Sequence, residues 1–114
     1  MLSRSDILSK NELKKVRVPV PAMGGDVYVS EMSAERRDQW EQHLIGAKAK
    51  GPKIINGRAM LIVFTVVDDK GNPLFAEADI PAIGKLGAQA LDPIVEQAQK
   101  LNGLGADIDD IKKN

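Results

Sequence analysis

The chain contains no cysteine, and that single absence removes disulfides, thiolate metal sites and cysteine nucleophiles together. It carries one histidine, His43, so most nucleophile–base arrangements lack their parts. Aromatic residues make up only 4%, which requires an aliphatic core built around a few large anchors such as Trp40 and Phe64. Neither sign of charge dominates: 16 basic residues face 16 acidic ones. Phosphate neutralisation supplies much of the affinity of nucleic-acid binders, and a chain without basic excess is not expected to be one. Nor is there a long apolar run. The longest, Ala59 to Val67, spans about nine residues with a Thr inside it, where a membrane helix needs roughly twenty. Ser3, Arg4, Ser5 and Asp6 interrupt the start, leaving no apolar signal core. The expectations are a cytoplasmic protein with no cofactor, no metal, no nucleic acid and no membrane partner, and not an enzyme.

What is present fits one domain, since 114 residues is near the commonest domain size. Residues 1–13 are polar with scattered Leu2, Ile7, Leu8 and Leu13, and read as a flexible arm carrying a short helical turn. Over 14–31, Val16, Val18 and Val20 alternate with Arg17 and Pro19, the period of a strand with one buried face. Pro19 and Pro21 place that strand at a sheet edge, because proline has no amide for a ladder bond. Met23-Gly24-Gly25-Asp26 supplies the turn, and Val27-Tyr28-Val29 returns. A hairpin alone is marginal, so it must pack on helices or extend another sheet.

Ser33 to Lys50 reads as a helix capped by Ser33, with Trp40, Leu44 and Ala47 on one face and Gly51-Pro52 as its stop. Ile54 to Val67 is ambiguous. β-Branched residues and the strong turn at Asp68-Asp69-Lys70-Gly71-Asn72-Pro73 favour strand–turn–strand; a capping Asn56 and the length favour a buried helix. Ala78 to Lys85 suits a short helix. Leu91, Ile94, Val95, Ala98 and Leu101 trace an apolar stripe closed by Asn102-Gly103. Pro93 either starts that helix after Asp92 or lies inside a longer one. Asp107 to Lys113 closes the chain as a short polar helix or tail, and Lys112-Lys113-Asn114 reads as a natural end. The fold class expected is α+β, mainly helical: an N-terminal β-hairpin packed on a small bundle of three to five helices.

No cluster in the sequence carries legible chemistry. His43 has no ligand-type residue four positions away on its helix, so it reads as a surface or interface histidine. Asp68-Asp69 lacks the spacing of a calcium loop and reads as a turn. Gly84-x-x-Gly87 has no following Lys-Ser/Thr, and no strand leads into it. Trp40 reads as a core anchor.

The order of the pieces resembles the small tail assembly chaperones of long-tailed bacteriophages. The stretches that carry the resemblance are VRVPVPAMGGDVYVSEMSAERRDQWE, GRAMLIVFTVVDDKGNPLF and ALDPIVEQAQKLNGL with the terminal IKKN, together spanning about residues 5–114. Ala22, Ser30 and Pro93 depart from the family pattern. The resemblance implies a protein that binds the tape measure protein, keeps it from aggregating and promotes polymerisation of the tail tube around it. It also implies contact with tail tube protein, through a longer frameshifted form in many phages, and self-association into a homo-oligomer. By the same resemblance, Gly57 to Val67 is helical. The alternative is a structural virion component, a tail tube or head–tail connector subunit. Candidate partner-binding residues are the stripe Leu91, Ile94, Val95, Ala98 and Leu101, and the arm residues Leu8 and Leu13.

Overall fold

A computed structural model of the chain describes residues 1–9, 12–49 and 56–104. The expected stop at Gly51-Pro52 and the expected tail over 107–113 lie outside the described residues. The fold is α+β and mainly helical, with a short helix and then the hairpin ahead of the longer helices.

Helix α1, Arg4–Ser9, is short and buries no side chain. It exists through its cap: the Ser3 hydroxyl accepts the Asp6 amide at 3.2 Å, and the Asp6 carboxylate accepts the Ser3 amide at 3.0 Å.

Strands β1, Lys15–Val20, and β2, Gly25–Ser30, form an antiparallel hairpin with Val16 opposite Val29 and Val18 opposite Val27. A 3-10 turn over Pro21–Met23 joins them, and Gly24 at φ 73° supplies the left-handed step that returns the chain. Strand β3, Val66–Val67, adds to β2, so the order is β1-β2-β3 and β1 is the edge. The Glu31 amide donates to the Lys14 carbonyl at 2.8 Å. By the antiparallel alternation, Val16, Val18 and Val20 then bond inward, while Lys15, Arg17 and Pro19 turn their backbone groups to the free edge. Pro19 therefore occupies an outward position, where its missing amide costs no ladder bond. Val18 and Val20 point into the core and Lys15, Arg17 and Pro19 into water.

Helix α2, Ala34–Ala49, starts where the Ser33 hydroxyl accepts the Arg36 amide at 3.1 Å. Trp40 is its one fully buried residue, with Leu44 and Ala47 partly buried on the same face. Helix α3, Gly57–Thr65, is buried at every residue except Arg58 and packs between α2 and α5. A helix apolar on most sides belongs in the centre of a core, and that is its place here.

The helix expected over Gly57 to Val67 stops two residues early. Thr65 turns its hydroxyl back to the Leu61 carbonyl at 2.7 Å, and Val66 takes extended backbone (φ −80°, ψ 128°) to pair with β2. The turn after Val67 then brings Pro73 back beside Val67, with the Leu74 amide on the Val66 carbonyl at 3.1 Å. Both halves of the ambiguity are thus realised: helix through Thr65, strand and turn beyond it.

The Asn56 side chain does not cap α3. Asn56 sits at φ 54°, ψ 43°, and this left-handed backbone withholds the extended geometry that side-chain capping uses. After a 3-10 turn at Glu77–Asp79 and helix α4, Ile80–Ile83, comes α5, Ala88–Asn102. It runs through Pro93 and ends at Gly103, φ 65°. Of the two readings of Pro93, the longer helix is the one formed. Helix α5 packs on α3 and on β1 and β2, and so joins the sheet to the helices.

Candidate functional site

The stripe on α5 faces inward. Leu91 and Ile94 are each 4% exposed, Val95 and Ala98 are 0% exposed, and Leu101 packs half-buried against the same cluster. Leu91, Ile94, Val95 and Ala98 fill the chain's own core, between α3 and the sheet, while Leu101 keeps part of its surface outside. The two arm candidates differ: Leu8 and Leu13 are both exposed, as are Leu2 and Ile7 beside them. Structure therefore separates the seven candidates into a core set and a surface set.

Leu13 also forms part of a built feature. It lines a groove of about 190 Å³ with Glu31, Arg36, Phe64, Val66 and Pro73. The arm is pinned just downstream, where the Lys14 amide donates to Glu31 Oε1 at 2.7 Å. Arg36 reaches the groove from α2: its guanidinium lies 4.5 Å from the Phe64 ring centre and donates to the Val63 carbonyl at 3.0 Å. Both partners belong to the last turn of α3. The arginine is thereby fixed over an aromatic face, in a cation–π arrangement. A second cavity, about 100 Å³, lies at the start of α3 between Asn56, Arg58, Gly84 and Leu91. Small-molecule sites run to roughly 300–1,000 Å³, so neither space suits a metabolite or cofactor.

His43 lies half-buried, its Nε2 3.1 Å from a Glu77 oxygen and its ring 5.6 Å from that of Phe64. It ties α2 to the turn before α4 through Glu77. Asp68 holds a tight loop: its Oδ1 accepts the amides of Lys70 and Asn72, each at 2.9 Å, and Gly71 takes φ 86°. The Asn72 amide above all holds the Asp68 carboxyl below the ordinary aspartate value. Oδ1 serves the turn twice, the pattern of a plain Asx-type turn. Among the described residues, no group of three His, Asp or Glu is placed to hold a metal, and no helix is long and apolar enough to cross a membrane.

One organising residue escaped the sequence reading. Asn102 was legible as a helix end, yet its side chain also accepts the Met32 amide at 2.7 Å and donates to the Ser30 carbonyl at 3.3 Å. Its own carbonyl receives Arg37 at 3.2 Å. The end of α5 thereby fixes the link between β2 and α2, and with it the angle at which α2 delivers Arg36. The contacts span some seventy residues of sequence, so no local pattern could announce them.

No protein-family profile matches the chain, and no curated protein matches it. Among solved structures, the bacteriophage HK97 tail assembly chaperone superposes with a TM-score of 0.60 at 17% identity, over 85% of this chain and 91% of that one. The chain therefore has the fold of that tail assembly chaperone.

Proposed function

We propose that this chain is a phage tail assembly chaperone that binds the tape measure protein, keeps it soluble and promotes polymerisation of the tail tube around it. The observation that carries the reading is the match to the HK97 tail assembly chaperone over nearly the whole of both chains. The ordered motifs in the sequence support it independently, because they were legible without the fold. Physical character agrees: the spaces at the start of α3 and beside Phe64 are too small for a metabolite, and Leu2, Ile7, Leu8 and Leu13 are exposed around a helix α1 that buries no side chain. A long helical client is best held by repeated shallow apolar contacts, and self-association of the chaperone multiplies them along the client. Balanced charge does not oppose that self-association. The proposed partners are the tape measure protein and, through a longer frameshifted form, the tail tube protein; the proposed place of action is the host cytoplasm.

The test is co-purification of the tagged chain with the tape measure protein, alongside mass spectrometry of finished particles. The reading expects a complex during assembly and no copies in the particle. Stoichiometric copies in purified particles would instead identify a structural tail or connector subunit.

A further inference from the structure

The groove beside Phe64 has a charge layout with consequences for what it accepts. Its floor is Phe64 and Val66, 3% and 1% exposed, with Val67 and Pro73 on the turn side. Its volume of about 190 Å³ suits one apolar side chain and excludes a larger ligand. Two charged groups line it, and they are anchored differently. Glu31 is held at the arm end by the Lys14 amide, 2.7 Å away. Arg36 is held over Phe64, with one amino group on the Val63 carbonyl at 3.0 Å. Among the described residues, no carboxylate pairs with Arg36. Leu13, 49% exposed, forms the outer rim just before the point where the arm is pinned.

We infer that this groove receives a single apolar side chain of the client protein, presented beside a carboxylate that pairs with Arg36. The identity of the client rests on the chaperone reading; the chemistry rests on the groove alone. A guanidinium stacked on an aromatic ring is already oriented, so little side-chain freedom is lost when an acid arrives. Glu31 lines the same groove and opposes that acid, so, among the described residues, Arg36 is the one groove cation offered to it.

The test is an amide-resolved NMR titration of the full-length chain with N-acetyl-leucine, which carries both the apolar group and the carboxylate. N-acetyl-leucinamide lacks the charge and N-acetylglycine lacks the side chain. The expected result is a saturable shift of the Val66, Val67 and Gly71 amides by N-acetyl-leucine, with about threefold weaker binding of the amide, the scale of a partly exposed ion pair. Arg36→Gln keeps a donor for the Val63 carbonyl and should equalise acid and amide. Glu31→Gln keeps the acceptor for Lys14 and should tighten the acid. It gives a second reading should Arg36→Gln fail to fold. Shifts centred elsewhere, no saturation, or equal affinity for acid and amide on the unaltered chain would overturn the inference. So would shifts of the same amides on concentrating the chain alone, because the groove then belongs to a second copy. Failure to bind the tape measure protein with the titration intact would remove the chaperone reading and leave the groove's chemistry standing.

Discussion

Asn102 is the residue on which most of the long-range geometry converges. Its side chain accepts one amide and donates to two carbonyls, those of Ser30 and Ala98. Asn102→Ala leaves the Met32 amide and the Ser30 carbonyl without partners in a half-buried site, and should cost about 1–3 kcal/mol in chemical denaturation. Asn56 makes a different point, since what matters there is backbone conformation. At φ 54° a β-carbon is disfavoured, so Asn56→Ala should lose about 1 kcal/mol while Asn56→Gly should be close to neutral. The two kinds of apolar candidate separate in the same assay. Ile94→Ala empties part of the core and should cost about 2–5 kcal/mol, whereas Leu8→Ser, on a helix α1 that buries no side chain, should stay within about 0.5 kcal/mol of the parent. Equal stability losses for those two would contradict the placement of the α5 stripe inside the monomer.

At the scale of elements, the turn after β3 carries the clearest pH dependence. The Asp68 carboxyl is held low by the Asn72 amide, so its contribution to the turn is present above the ordinary aspartate value and is lost as pH falls through the lowered one. Carbon-detected NMR should find the Asp68 carboxyl titrating below the ordinary value. Asp68→Asn should abolish that titration and loosen the Val67–Pro73 bridge. Elements with a local cause were legible in the sequence. The β1 alternation, the Ser33 cap, the α5 stripe and the Gly103 end each follow from neighbours within a turn or two. The boundary between α3 and β3 was not, because nothing near Thr65 and Val66 dictates it: β2 supplies the open edge that makes two valines extend, and β2 lies more than thirty residues upstream. The site was less legible than the fold. A stripe at helical spacing looks the same whether it meets a partner or the chain's own sheet, and the Arg36–Phe64 stack joins residues from two helices that only tertiary packing brings together.

For the whole molecule, the sheet, α5, α3 and α2 make one continuous cluster. On the outside are the exposed leucines and isoleucine of a polar arm, a shallow groove and balanced charge. The HK97 tail assembly chaperone shares the fold, and the proposed chaperone function assigns these outer features to client contact. Client handling is therefore the claim to test first. The most direct measurement is the soluble fraction of the tape measure protein expressed with and without this chain at matched levels. The account expects the client to be largely insoluble alone, and soluble and bound to this chain when the two are made together. A tape measure protein equally soluble in both cases would contradict it.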